Sequence, residues 1–153
     1  MADCSIGAPE RLMDDAQLVK FANESSSKGS RYGQYVLGRM YQSGIKGLEC
    51  SYDKANTLYQ QAAAQGLDAA QVSVGWMYNL GLGVDRDFAE ALWRYKLAGA
   101  QGYPEASVHI AQCYECGLGV PKNKVEAMYW YRRAQAAGHP CAAAAAKKLN
   151  ARK

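Results

Sequence analysis

Apolar and small residues recur along this chain with a period of 36 or 37 residues. A segment of the form apolar, small, variable, apolar, Tyr occurs at 37–41, 74–78 and 110–114. A second segment, Ala-x-x-x-Tyr-x-x-Ala, follows each copy of the first, at 55–62, 91–98 and 127–134. Because apolar positions at i, i+3, i+4 and i+7 form one face of an α-helix, each repeat predicts two amphipathic helices, here named helix A and helix B.

Glycines mark the predicted ends of both helices, since a residue just past a helix end often needs a positive φ. The glycines expected to end helix A and then helix B are Gly44, Gly81 and Gly117, and Gly66, Gly102 and Gly138. Pro104 and Pro140 are expected in the first turn of the following helix. Gly38 and Gly75 fall inside helix A, so close approach of a neighbouring helix should compensate for their cost of about 1 kcal/mol.

A single helix pair cannot bury both of its apolar faces, so the repeats must stack and the two ends need caps. Leu18, Phe21 and Ala22 match the apolar positions of helix B 37 residues later, which predicts a capping helix at about 9–24 and a loop at 25–29. The predicted fold is all-α, one α/α superhelical solenoid of three helix-pair repeats with N- and C-terminal capping helices. The predicted units are 9–29 (N-terminal capping helix and loop), 30–66, 67–102 and 103–138 (repeats), and 139–153 (C-terminal capping helix).

Three parts of the repeat carry a family resemblance: Leu-Gly-x-Met-Tyr at 37–41, Gly-Leu-Gly-Val-Pro at 117–121 and Trp-Tyr-Arg-Arg-Ala at 130–134. Together they resemble the Sel-one-like repeat, a relative of the tetratricopeptide repeat, over about residues 30–142. The third copy departs from the pattern at Ala111 and Cys113. What the resemblance implies is an α/α superhelix that acts as an adaptor in protein complexes, with no shared catalytic machinery.

The composition and charge of the chain indicate the class of protein but do not indicate a ligand. The 153 residues are about one domain's worth, and no apolar run approaches the ~18 residues that a membrane helix needs. The start, 1–9, lacks the basic and then apolar stretch of a secretory signal, so we expect a cytoplasmic protein without membrane association.

The five cysteines share no repeat position, which favours reduced thiols. The net charge of +4 comes largely from basic residues at the C-terminus, which indicate a solvated end.

Positions of helix A that vary among the copies are expected to be exposed and to line the concave surface of the solenoid. They are Tyr35, Val36, Arg39 and Gln42, then Val72, Ser73, Trp76 and Asn79, then Val108, His109, Gln112 and Glu115. The candidate partner-binding residues among them are Tyr35, Arg39, Ser73, Trp76, His109 and Gln112. Trp76 stands where the other copies carry polar residues, and an exposed tryptophan often anchors a partner, with a cost of about 2 kcal/mol or more on truncation. Packing against a neighbouring helix is the alternative role for this side chain.

Other aromatic residues are assigned to packing. Trp93 and Tyr129 share a varying position of helix B, and we expect them to cover the outer surface rather than form a second aromatic patch. Trp130 and six recurring tyrosines are expected in the core because they recur: Tyr41, Tyr59, Tyr78, Tyr95, Tyr114 and Tyr131. The sequence therefore predicts a non-catalytic adaptor that binds a peptide or helix of another protein on helix A.

Two alternative functions stay open. RNA binding by a helical repeat is the first, although Arg39 has no basic equivalent in the other copies and a backbone-tracking groove needs a basic stripe. The second is a metal or redox site at His109, Cys113 and Cys116, although Cys113 replaces recurring methionines and should be buried. We expect no cofactor, catalytic triad or phosphate loop. Self-association through an exposed end of a short array also stays open.

Overall fold

The computed structural model of the chain describes residues 14–45 and 47–152. The regular structure of these residues consists of eight α-helices: α1 Asp15–Ser27, α2 Arg31–Ser43, α3 Tyr52–Ala64, α4 Asp68–Leu80, α5 Phe88–Ala100, α6 Pro104–Cys116, α7 Lys124–Ala136 and α8 Ala142–Ala151. Helices α2, α4 and α6 are helix A of the three repeats, α3, α5 and α7 are helix B, and α1 and α8 lie at the two ends. Each helix packs against its neighbours along the chain, which confirms the predicted solenoid with two capping helices.

Helix B begins at the same repeat position in each copy because a side-chain cap recurs there. Ser51, Asp87 and Asn123 lie 36 residues apart, and each accepts a hydrogen bond from a backbone N–H in the first turn of its helix. Such a cap satisfies a donor that the first turn leaves free and contributes about 1 kcal/mol. Helix α6 instead begins with Pro104 as its first residue, as predicted.

Helix A ends at a glycine in the left-handed region in all three repeats, which confirms the prediction. Gly44, Gly81 and Gly117 have φ values of 61°, 69° and 73°, and each donates its N–H to the carbonyl four residues earlier. A side chain at this backbone conformation would be strained. The glycines after helix B also have positive φ, one residue beyond the cap of each helix: Gly66, Gly102 and Gly138.

The two glycines inside helix A lie against tyrosine rings of helix B. A Cβ added at Gly38 would lie 2.8 Å from Cε1 of Tyr59, and one added at Gly75 would lie 2.6 Å from Cε1 of Tyr95. Both rings are buried, so they have little room to move away. The predicted close approach of a neighbouring helix is therefore confirmed, and the neighbour is helix B of the same repeat.

The core lies between helix A and helix B. The recurring alanines and tyrosines of helix B are buried in every copy: Ala55, Tyr59, Ala62, Ala91, Tyr95, Ala98, Ala127, Tyr131 and Ala134. The recurring tyrosines of helix A are only partly buried, so the prediction that all six are core was wrong for these three: Tyr41, Tyr78 and Tyr114. The hydroxyl of Tyr114, for example, accepts a hydrogen bond at 3.1 Å from Nζ of Lys96, which is exposed.

The capping helices differ in detail from the prediction. Asp14 is the N-cap residue of helix α1. Its carboxylate accepts a hydrogen bond from the backbone N–H of Gln17, and the side chain of Gln17 accepts one from the backbone N–H of Asp14. The loop predicted at 25–29 is wrong in its first three residues, because α1 continues to Ser27. Pro140 lies two residues before α8 rather than in its first turn. Residues 9–13 and 153 of the predicted caps lie outside the described residues, and the boundaries of the five predicted units stay predictions.

In the described residues, no helix combines the length and the apolar character that crossing a membrane requires. The cysteines of the same residues are free thiols: Cys50, Cys113, Cys116 and Cys141. The cytoplasmic location expected from the sequence stays a prediction.

Candidate functional site

A groove of about 440 Å³ lies along helix A of the three repeats, and is named here the helix A groove. Its lining residues come from α2, α3, α4, α6 and the residue before α6: Tyr35, Arg39, Gln42, Tyr59, Val72, Ser73, Trp76, Tyr103, Glu105 and His109. Five of the six candidate partner-binding residues are among them. The sixth, Gln112, is exposed on α6 outside the lining.

The groove brings together residues that are distant along the chain, because all three A helices contribute to its lining. Within α2, Tyr35 and Arg39 are four residues apart, and residues at this spacing lie on the same side of a helix. Glu105 and His109 are related in the same way on α6. The two pairs occupy different repeat positions, since Glu105 corresponds to Tyr32 of repeat 1. A side chain from repeat 1 nevertheless shares the groove with one from repeat 3.

Trp76 lies in the middle repeat and is half-buried. Part of its indole packs against the core cluster that contains Tyr59 and Met77, and the same side chain lines the groove. The two roles considered from the sequence, packing and exposure to a partner, are thus combined in one residue. A side chain held by the core loses little rotamer freedom when a second surface covers it, which is a property of binding anchors.

The floor of the groove beside Trp76 is aromatic and already hydrogen-bonded. The hydroxyl of Tyr59 donates to Oε1 of Gln42, and the ring of Tyr35 tilts against that of Tyr59 with centroids 5.7 Å apart. Burial raises the pKa of Tyr59 far above its ordinary range, so the phenol stays neutral. This part of the groove offers ring faces rather than a reactive group.

His109 forms the wall contributed by repeat 3. Its imidazole stacks on the buried ring of Tyr95 with centroids 4.8 Å apart and an angle of 14° between the planes. Its Nε2 lies 3.9 Å from Oε1 of Glu105. Burial lowers the pKa of His109 more strongly than the Glu105 charge raises it, so the imidazole is neutral at neutral pH.

Charged side chains of opposite sign lie in the first and third repeats. Among the residues that line the groove, Arg39 on α2 is the one cationic side chain and Glu105 on α6 the one carboxylate. Arg39 is exposed and forms no ion pair with any of the described residues. Oε2 of Glu105 accepts a hydrogen bond from the hydroxyl of Tyr103 at 3.4 Å. Burial, together with the charge of Glu105, raises the pKa of Tyr103 to about 12.

One expected position was wrong, and several lining residues were missed. Val72 was predicted to be exposed, but it is 6% exposed because it packs against the cluster of Leu92 and Tyr95, and only its edge reaches the groove. Tyr59 was assigned to the core alone. Tyr103 and Glu105 were not considered, although the test for variation among copies, applied one helical turn before His109, would have found Glu105.

The alternative metal or redox site is not assembled. Cys113 is 2% exposed within the core, and burial raises the pKa of its thiol to about 11, so it stays protonated. Cys116 is exposed. No group of three or more metal-ligating side chains gathers among the residues that the structure describes. Helical spacing places Cys113 near His109, but the packing of α6 against α5 and α7 buries the Cys113 thiol and leaves Cys116 at the surface.

The outer aromatic residues only partly cover the surface. Trp93 and Tyr129 remain 49% and 53% exposed. The guanidinium of Arg94 lies 4.8 Å from the Trp93 ring centroid, and that of Arg133 lies 5.9 Å from the Tyr129 ring centroid. Both aromatic side chains lie outside the helix A groove, so they provide an exposed aromatic surface against which a groove residue can be compared.

Comparison with known protein families matches the chain to the Sel1 repeat three times, at residues 31–67, 68–103 and 104–139. A solved Sel1 repeat protein from Oxalobacter formigenes superposes on this chain with a TM-score of 0.74 and 34% sequence identity, over 85% of this chain and 97% of that one. The matches cover most of the chain, and they include the whole helix A groove.

More distant structures share the fold. A protective antigen of uropathogenic Escherichia coli with an SLR fold gives a TM-score of 0.64 at 23% identity, over 86% of this chain and 36% of that one. Cysteine rich protein B of Helicobacter pylori gives 0.65 at 18% identity, over 85% and 92%. An uncharacterized protein of Neisseria meningitidis serogroup B is 30% identical over 76 residues, which are 50% of this chain and only 16% of that protein.

Proposed function

Because this chain belongs to the Sel1 repeat family, we propose that it is a non-catalytic adaptor that binds a peptide segment or helix of another protein in the helix A groove. Sel1 repeat proteins are generally scaffolds for protein–protein interaction, and the family is typically non-catalytic. One observation carries the proposal. Side chains of three consecutive repeats converge in one groove of about 440 Å³: Tyr35, Arg39, Ser73, Trp76 and His109.

The residue types in the groove are those that bind proteins well. Tryptophan, tyrosine and arginine are enriched where truncation weakens interfaces most, since they bury a large area with few rotatable bonds or form several hydrogen bonds. A stable interface buries about 800 Å² on each partner, more than this groove alone provides. We therefore regard the groove as the anchor of a wider contact, with exposed Gln112 among the surrounding residues.

The polar groups of the groove support binding rather than catalysis. Nucleophilic catalysis needs a hydroxyl or thiol held by a general base. Ser73 instead donates its hydroxyl to the carbonyl of Ala69 at 3.0 Å, and no hydrogen bond joins it to His109 in the described part of the chain. The imidazole of His109 is stacked on Tyr95.

The charges of the groove favour a protein partner over RNA. A groove that tracks a phosphate backbone needs several cations, because each neutralised phosphate contributes through counterion release. Among the residues lining the groove, Arg39 is balanced by one carboxylate, Glu105. A polypeptide, which carries both signs of charge, fits this balance better than a polyanion does.

The test compares two tryptophan variants. Immobilised wild type, Trp76→Ala and Trp93→Ala are exposed to an extract of the source cells, and the retained proteins are identified by mass spectrometry. Trp93 is the matched control, because it is 49% exposed but lies outside the groove. We expect at least one protein that wild type and Trp93→Ala retain and Trp76→Ala loses, with unchanged helical circular dichroism in all three.

Other outcomes assign the function differently. A partner lost only by Trp93→Ala would move the binding surface to the outer face. RNA retained by wild type in a salt-dependent manner would favour the nucleic-acid alternative. A partner whose affinity, measured with purified protein, falls less than tenfold on Trp76→Ala contradicts the role of Trp76, since tenfold corresponds to about 1.4 kcal/mol.

A further inference from the structure

We propose that the segment bound in the helix A groove is dipolar, with an acidic side chain placed at Arg39 and a basic side chain placed at Glu105. This inference rests on the proposed function and names the chemistry of the partner. It follows from the one cation and the one carboxylate that line the groove, which lie in different repeats on either side of Trp76.

Arg39 is available for an anionic group. It is exposed and lacks an ion-pair partner among the described residues, and its neighbours in the groove are the aromatic residues Tyr35 and Tyr59. Arg39 and Tyr59 line the same groove, and the positive charge of Arg39 opposes the rise in the Tyr59 pKa. A guanidinium binds a carboxylate through two parallel hydrogen bonds, so an acidic side chain is its natural partner.

Glu105 forms no ion pair with a lysine or arginine of the described residues. Its side chain is 54% exposed, and its two neighbours within the groove, Tyr103 and His109, are both neutral at neutral pH. The 3.9 Å separation from His109 Nε2 therefore joins a carboxylate to a neutral imidazole rather than to a cation. A lysine or arginine of the bound segment would place beside Glu105 a positive charge that no residue lining the groove pairs with it.

The order of the helices sets the order of these charges. Arg39 lies on α2, Trp76 on α4 and Glu105 on α6, so a segment that crosses the three A helices meets a cation, an indole and then a carboxylate. The acidic and basic side chains of the bound segment should therefore lie on either side of the residue that contacts Trp76.

A peptide selection tests the inference. A random peptide library displayed on its encoding RNA is selected on wild type, Arg39→Glu, Glu105→Lys, Trp76→Ala and Arg132→Glu. Arg132 is an exposed arginine of α7 outside the groove and serves as the control for charge reversal. We expect wild type and Arg132→Glu to enrich the same peptides, with an acidic and a basic residue at a fixed separation.

The charge-reversed variants provide the decisive result. Arg39→Glu should replace the enriched acidic residue by a basic one, and Glu105→Lys should replace the enriched basic residue by an acidic one. For one wild-type peptide, Arg39→Glu should weaken binding at least tenfold, and reversing the acidic residue of the peptide should restore it.

The failures of the two proposals are distinguishable. Two results would overturn the dipolar segment and leave the proposed function intact. In the first, peptides bind in a Trp76-dependent way but show no charge preference. In the second, Arg39→Glu selects peptides with the same charge preference as wild type. Absence of any peptide that wild type enriches over Trp76→Ala overturns both proposals.

Discussion

The hydroxyl of Tyr131 donates a hydrogen bond to Oε2 of Glu115 at 2.6 Å, and so connects helix B of repeat 3 to helix A of the same repeat. The equivalent residues of repeat 1, Tyr59 and Gln42, are connected in the same way. A buried hydroxyl that keeps such a partner avoids the cost of lost hydration. Repeats 1 and 3 therefore each contain a polar contact beside their apolar core.

Repeat 2 lacks this contact. The hydroxyl of Tyr95 and Oδ1 of Asn79 are buried, and neither has a hydrogen-bond partner in the described residues. Asparagine is one methylene shorter than glutamine or glutamate, so its amide reaches less far from α4. We predict that Asn79→Gln raises the free energy of unfolding by about 1 kcal/mol, measured by urea denaturation.

The matched control for that variant is the reverse change in repeat 1. Gln42→Asn should remove the partner of the Tyr59 hydroxyl and lower the free energy of unfolding by about 1–2 kcal/mol. Equal stability of wild type and both variants would show that these polar contacts do not contribute to the fold.

The close approach of Gly75 to Tyr95 makes a second prediction. Alanine is the better helix former by about 1 kcal/mol, but its Cβ would lie 2.6 Å from a ring carbon of Tyr95, and overpacking costs about 1–3 kcal/mol. Because the ring is held beneath His109, we expect Gly75→Ala to lower the free energy of unfolding by about 1 kcal/mol net. Ala111→Gly, at the equivalent position of repeat 3, should lose about 2 kcal/mol, because it lowers helix propensity and also removes a buried methyl group. A stabilised Gly75→Ala would show that the tyrosine moves freely.

Stability should depend on pH through His109. Burial lowers its folded-state pKa below the ordinary value of 6.5, so the unfolded chain binds a proton at higher pH than the folded chain does. The contribution of neutral His109 to the free energy of unfolding should therefore be fully present above about pH 7 and fall as the pH drops through 6.5 towards the lowered folded-state pKa. Denaturation curves across this range should show a shallower fall for His109→Gln. An identical fall in the variant would assign the effect to other groups.

Thiol reactivity should follow burial. Cys113 is 2% exposed, and its raised pKa of about 11 leaves almost no thiolate at neutral pH, whereas Cys116 is exposed on the same helix. Brief alkylation of the native protein, followed by peptide mass spectrometry, should label Cys116 and leave Cys113 unmodified until urea is added. Labelling of Cys113 at the rate of Cys116 would contradict its placement in the core.

Much of the fold was predictable because it depends on short-range rules repeated three times. The glycines after helix A and the small residues inside it recur with the helices they belong to, and three agreeing copies distinguish such positions from chance. The end of α1 was less predictable, since the serine-rich stretch before Lys28 has the composition of a loop yet continues the helix to Ser27. A capping helix occurs once in the chain, so no second copy corrects its bounds.

The groove was predictable in part for the same reason. Variation among copies selected Trp76 and Arg39, which both line the groove, because exposed positions are free to differ while core positions are not. The same criterion included Val72, which a neighbouring cluster buries, and Gln112, which lies outside the lining. This criterion does not distinguish exposed positions that line the groove from exposed positions that do not.

The sequence by itself determined the helix pairs, their glycine ends and the small residues that receive the tyrosines, because these features depend on residues within a few positions along the chain or at a fixed repeat distance. Only the tertiary structure decided that Arg39 and Glu105 share a groove, that His109 stacks on Tyr95, and that the Tyr95 hydroxyl has no partner. Burial, charge and hydrogen bonding at those atoms are set by side chains from other helices. Their positions depend on how the helices pack, which a local pattern does not encode.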